Sequence, residues 1–175
     1  MMRKVFSPAT SVVYLDMDGV LADFDKFVHD NMGRVFVHAD GPGADLDMWN
    51  FLKSVPHMYL NLEPTPYCHE LVEAAKALGA KVEILTAVPR RVVIEEANQD
   101  KIDWARKHLG PDIKVNFGPY SGDKWKHAKP GDVLLDDRHS NIQEWINHGM
   151  GFGILHEYKD HTRSLSALKS LAGRF

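Results

Sequence analysis

The chain has one cysteine, Cys68, among its 175 residues. That excludes an internal disulfide, and a lone thiol suits a reducing compartment, so a cytoplasmic location is expected. Net charge is nearly absent: 21 Lys and Arg against 24 Asp and Glu leave −3. A balance of this kind gives no general attraction to a nucleic-acid backbone or an anionic membrane, and neither is expected as a partner. Any anionic substrate must be met by local cations or a metal. Long hydrophobic runs are missing as well. The first apolar run is cut by Asp16, a pattern that fits neither a secretory leader nor a membrane span. The ten histidines include no His-x-x-x-His pair, and there is no Cys-x-x-Cys, which argues against zinc. Gly149, Gly151 and Gly153 precede an apolar run instead of joining strand to helix, so they read as a tight turn and not as a dinucleotide fingerprint. Internal repeats and low-complexity segments are also lacking.

What is present is an ordinary globular composition, 44% hydrophobic and 26% charged, enough for one domain with a proper core and one small insertion. The chain is organised around Val12-Val13-Tyr14-Leu15-Asp16-Met17-Asp18-Gly19. A short β-branched and apolar run reads as a buried strand. Unpaired carboxylates are costly inside a strand, so it should end with Asp16 and Asp18 presented at its C-terminal edge. An Asp-Gly hairpin turn would account for Asp18-Gly19 but leaves Asp16 unexplained.

Further along, the spacing predicts a helix over 23–32. Asp40-Gly41-Pro42-Gly43 then signals a loop, followed by a stretch rich in large apolar and aromatic residues up to Leu62. Residues 33–60 are expected to form a small helical cap, with 1–32 and 61–175 making the core domain. Beyond it the pattern predicts a helix over 67–78 stopped by Gly79, and a strand over 81–85 ending at Thr86-Ala87. A helix patterned best over 102–109 follows. The remaining elements are strands over 113–117 and 132–135, a helix over 141–148, a strand over 152–155 and a closing helix over 162–171. Strands alternating with helices indicate an α/β fold with a parallel sheet and helices on both faces.

In such a sheet the C-terminal strand ends share one edge, so Asp16, Asp18, Thr86, Asp136 and Asp137 are expected to converge. Four carboxylates in one crevice repel one another, and a divalent cation removes that difficulty. An all-oxygen set with room for water and phosphate points to Mg²⁺. A carboxylate nucleophile beside Mg²⁺, a hydroxyl and a lysine is equipment for phosphoryl transfer.

Asp16-Met17-Asp18-Gly19-Val20, Thr86, Lys124 and Asp136-Asp137 resemble the four motifs of the haloacid dehalogenase phosphohydrolase superfamily. The longer stretch from Asp16 to Phe24, Leu62-Glu63-Pro64 with Pro66, Leu109-Gly110-Pro111-Asp112 and Asp132 to Arg138 resemble the 5′(3′)-deoxyribonucleotidases. The resemblance implies a Rossmann-like parallel sheet with the cap inserted after the first strand. It also implies Mg²⁺-dependent dephosphorylation of (deoxy)ribonucleoside monophosphates through an aspartyl-phosphate. By it, Asp16 is the nucleophile, and Asp18 is the acid and later the base, offering its backbone carbonyl to the metal. Asp136 and Asp137 are both metal residues, Asp137 being preferred as the direct ligand with Asp136 behind it or acting through water, and the choice between the two is left open. Thr86 and the Ala87 N–H hold a phosphate oxygen. Lys124 is preferred to Lys126 as the phosphate lysine, with Lys101 a more distant third. Phe24, Trp49 and Tyr59 match the family's pocket for a stacked base.

The chain departs from animal members in having Ala87 where they carry a hydroxyl residue, and it adds Arg90 and Arg91. Two other activities are compatible with the superfamily motifs: hydrolysis of another small phosphate ester, or of a polynucleotide 3′-phosphate. A phospho-receiver domain uses similar groups but in the reverse order, and it has no use for Asp18. A homodimer is left open.

Overall fold

The computed structural model describes residues 5–33, 46–90, 92–158 and 160–172. The Asp40–Gly43 loop signal, much of the expected cap and Arg91 lie outside those residues. Five strands, β1 (Val12–Leu15), β2 (Lys81–Thr86), β3 (Val115–Phe117), β4 (Val133–Asp136) and β5 (Phe152–Leu155), form one sheet in the order β3-β2-β1-β4-β5. Every pairing is parallel, with Leu15 opposite Ile84 on one side and Leu135 on the other. β1 is therefore central, and the C-terminal ends of β2 and β4 flank its own.

Side chains alternate across a strand, and the apolar residues divide accordingly. Val13, Leu15, Ile84, Val133 and Leu135 join the larger cluster, while Tyr14, Leu85 and Leu134 join a smaller one. The smaller cluster is closed by α5 (His139–Asn147), whose Trp145 sets its ring edge-on to Tyr14 at 5.5 Å. Against the larger pack α1 (Phe24–Met32), α3 (Cys68–Lys76), α4 (Ala97–Leu109) and α6 (His161–Ala172). Met48 and Leu52 of α2 (Leu46–Ser54), with Met58 and Tyr59 after it, belong to that same cluster.

Three elements differ from the sequence pattern. α4 begins at Ala97, five residues before the apolar periodicity, because its buried face there carries Asp100 and Lys101. β3 is reduced to three residues on the sheet edge. Residues Ser121–His127, a lysine-rich stretch with no apolar period, coil into a 3₁₀ helix.

Candidate active site

The loop after β1 is wound onto one carbonyl. Met17 O accepts from the amides of Val20, Leu21 and Ala22 at 3.3, 2.9 and 2.8 Å. Gly19 takes φ +79°, and a Cβ there would collide with Asp137 Oδ2, so both the backbone and the neighbouring acid call for glycine. The loop is pinned from outside by the segment after residue 62: Thr65 donates its amide to Leu21 O at 2.8 Å and its hydroxyl to Val20 O at 2.9 Å. Asp23 then caps α1, accepting from the Lys26 amide at 3.1 Å.

Asp16, Asp136 and Asp137 each bring a carboxylate oxygen within 4.8 Å of the other two. Between them stands Lys124 of the 3₁₀ helix, its Nζ 2.7 Å from Asp16 and 2.7 Å from Asp136. Asp136 is fully buried, and both its oxygens are held by protein donors, Lys124, Asn141 and the Arg138 amide. Asp16 also accepts from the Met17 amide at 2.7 Å. Its carboxyl is held well above the ordinary Asp range, by burial first and then by the charge of Asp136. Lys124 keeps its proton more tightly than an ordinary lysine, because Asp136 and Asp16 outweigh the burial that opposes its charge.

Lys126 lies on the exposed side of the same helix, paired with Asp123 at 2.7 Å. The lysine that joins Lys124 is instead Lys101 of α4. It is completely buried, with Nζ 2.5 Å from Asp18 Oδ2, 3.0 Å from Thr86 Oγ1 and 4.1 Å from the centroid of the Tyr59 ring. The sequence pattern ranks it a more distant third, behind Lys124 and Lys126. A charged pair on the buried face of an otherwise polar helix was the signal available.

The structure thus brings Asp16, Asp18, Thr86, Lys101, Lys124, Asp136 and Asp137 to one sheet edge, with Ala87 half-buried next to Thr86. Phe24 and Trp49 pair at 5.8 Å with a 38° tilt, and Trp49 is half-buried. Tyr59 is only 1% exposed, and the Lys101 ammonium covers its ring.

The donor set fits a hard divalent cation. Its ligating atoms are oxygens, the acids are crowded enough to repel, and only a glycine at position 19 leaves space beside Asp137 Oδ2.

Carboxylates and fixed ammonium groups meeting at the end of a central parallel strand suit phosphoryl transfer through an aspartate. On this sheet the arrangement is that of the haloacid dehalogenase type, and the chain is a phosphatase of that class. The family described as 5′ nucleotidase, deoxy (pyrimidine), cytosolic type C protein matches residues 10–170, and the chain belongs to it. None of the curated proteins matches.

Among solved structures, a haloacid dehalogenase-like family hydrolase from Xanthomonas campestris shares the fold. It is 15% identical, with 99% of this chain and 100% of that one covered and a TM-score of 0.52. More loosely similar is an uncharacterized protein from Corynebacterium glutamicum, 18% identical over 94% of this chain and 96% of that one, TM-score 0.44. A HAD family hydrolase from Deinococcus radiodurans, solved with phosphate and sodium bound, is 15% identical over 95% and 89%, TM-score 0.44. Among the described residues no helix is long and apolar enough to cross a membrane.

Proposed function

We propose that the protein is a magnesium-dependent phosphomonoesterase that removes phosphate from (deoxy)ribonucleoside monophosphates in the cytoplasm. The observation that carries the reading is the ammonium of Lys124 standing 2.7 Å from Asp16 at the end of the central strand, with Asp18 beside it.

Asp16 attacks phosphorus through a carboxylate oxygen. The bond from phosphorus to the ester oxygen breaks, and the departing alkoxide takes its proton from Asp18. A water then attacks the acyl phosphate and gives a proton back to Asp18, and the acyl phosphate's bond to phosphorus breaks. Inorganic phosphate leaves and the Asp16 carboxylate is regenerated. Lys124 neutralises phosphoryl oxygens as charge shifts onto them. Thr86 Oγ1 already accepts from Lys101 at 3.0 Å, so its own hydrogen is available to a phosphate oxygen. Asp16, Asp137 and the Asp18 carbonyl would hold Mg²⁺, with Asp136 behind them, fixed by Lys124 and Asn141. The ion supplies positive charge that keeps Asp16 ionised and balances the phosphate.

The Phe24–Trp49 pair supports a nucleotide over a bare sugar phosphate, since stacking a base on an aromatic ring contributes about 1–3 kcal/mol. In this reading α2 and residues 55–62 act as the lid over that base, and a mononucleotide, not a nucleic-acid strand, is the substrate.

A panel of nucleoside monophosphates and sugar phosphates assayed with and without MgCl₂, on wild type and Asp16→Asn, tests the assignment. Magnesium-dependent turnover of dUMP or dTMP, abolished in the variant, is expected. Turnover of sugar phosphates but of no nucleotide would refute the substrate class, and residual activity in the variant would refute the nucleophile.

A further inference from the structure

Two neighbouring residues of α4 grip two nearby residues of the turn segment 55–62. Lys101 packs its ammonium on the Tyr59 ring, and immediately before it Asp100 meets His57, with Nδ1 2.8 Å from Oδ1. The outer contact is unusual in three respects. Asp100 is 2% exposed, yet its Oδ2 makes no hydrogen bond among the described residues. A buried carboxylate in that position depends heavily on the one partner it has. His57 sits at φ 52°, in the left-handed region that few non-glycine residues adopt. Finally, the hydrogen bond to Asp100 favours protonated His57, as do the charges of Asp100 and of Glu96, the residue just before α4. A charged imidazole is the form that best compensates Asp100.

The inner contact leads into the site. Lys101 lies against the Tyr59 ring on one side and reaches Asp18 Oδ2 and Thr86 Oγ1 on the other. Both residues are buried, and the Tyr59 ring lines the position that the ammonium occupies.

We propose that His57 and Asp100 are positioning residues for the leaving-group acid. Their ion pair seats Tyr59 on Lys101, and Lys101 so seated fixes Asp18. The inference rests on the assignment of Asp18 as the acid that protonates the departing alkoxide.

The test uses that chemistry. A nucleoside leaves as an alkoxide that needs a proton, whereas p-nitrophenol leaves as a stable phenolate that does not. His57→Gly is the variant of choice. His57 is 59% exposed on its side chain, so no cavity opens, and Gly takes the left-handed backbone without strain while removing the imidazole that meets Asp100. In full-length protein with Mg²⁺, kcat/KM for a nucleoside monophosphate should fall about 10-fold, a fraction of the 10²–10⁴ a general acid supplies. kcat/KM for p-nitrophenyl phosphate should fall less than about 2-fold, because the step it reports needs no acid. Asp100→Asn should show the same split.

Equal losses on both substrates would mean a merely structural contact and would overturn the proposal, and so would no loss on either. Wild-type enzyme that hydrolyses p-nitrophenyl phosphate but no alkyl ester would instead refute the phosphomonoesterase reading, and this inference would fall with it.

Discussion

Replacing Asp16, the proposed nucleophile, should make the metal-free protein more stable, and the structure says why. Asp16 is 6% exposed and lies within 4.8 Å of two other carboxylates. At an effective dielectric near 20, each such repulsion is worth about 3 kcal/mol at 4.8 Å. The attraction to Lys124 at 2.7 Å is worth about 6 kcal/mol on the same scale. Pair interactions therefore nearly cancel, and the cost of burying the charge decides the sign. An amide at position 16 keeps an oxygen for the Met17 amide and for Lys124, while Lys124 retains Asp136. Asp16→Asn should gain about 1–2 kcal/mol at pH 8 without metal, the trade of stability for a functional charge seen elsewhere.

The pH dependence has a definite direction. The folded state holds the Asp16 carboxyl above its ordinary value of 3.8, so the folded chain binds that proton more readily than the unfolded one. The wild type therefore loses stability as pH rises from the ordinary Asp range through the folded value, and the Asp16→Asn variant is spared that loss. Urea midpoints in EDTA from about pH 5 to pH 8 should show a gap between the two proteins that widens with pH. A variant less stable than wild type at pH 8, or a gap that narrows as pH rises, would refute the electrostatic account.

Gly19→Ala places a Cβ on Asp137 Oδ2 and strains a φ of +79°. It should cost at least about 1 kcal/mol and weaken Mg²⁺ affinity, so unchanged affinity by titration calorimetry would contradict the role given to that gap. Lys124→Met should destabilise the metal-free protein by about 3–5 kcal/mol, the effect of stripping one partner from a buried pair, and added Mg²⁺ should recover part of the loss in thermal melts. His156 is 2% exposed, bound to Ser164 at 2.8 Å and to Tyr67 at 3.2 Å, and burial, with His161 nearby, pushes its pKa down to about 4. The fold prefers it neutral, so its contribution is intact above the ordinary 6.5 and is lost as pH falls toward about 4, by about 3 kcal/mol. His156→Gln should flatten the stability profile across that window, and an unchanged slope would place the acid sensitivity elsewhere.

The groups that announce themselves in the sequence are those whose backbone pattern and chemistry agree. Asp16 and Asp136 close apolar runs, and an acid at the end of a buried strand is too costly to stand there unless its charge is used. β1 and β4 were legible for the same reason, since their hydrophobic runs are continuous, and β2 and β5 by apolar residues that follow glycine-marked turns. Lys101 was hidden because charge and burial conflict there. On a helix as polar as α4, a lysine facing inward gives the same letters as a lysine facing water, and only tertiary packing tells them apart. The 3₁₀ helix that carries Lys124 has no period to read, so the lysine could be ranked above Lys126 but not placed. Tyr59 sits among large apolar residues that fit a cap or a core equally well, and the Lys101 ammonium over its ring ties it to the lysine that reaches Asp18.

Finding Lys101 in the site changes its charge balance. Four carboxylates, Asp16, Asp18, Asp136 and Asp137, share the sheet edge with two buried ammonium groups, Lys101 and Lys124. Acids crowded in this way suit a hard divalent cation, in keeping with the proposed magnesium dependence. The two lysines are not equivalent in that balance. Lys124 bridges Asp16 and Asp136 and so stands where the phosphoryl group would arrive, whereas Lys101 is turned toward Asp18 and Thr86. In the proposed mechanism one ammonium neutralises the attacking side and the other restrains the side from which the alcohol departs.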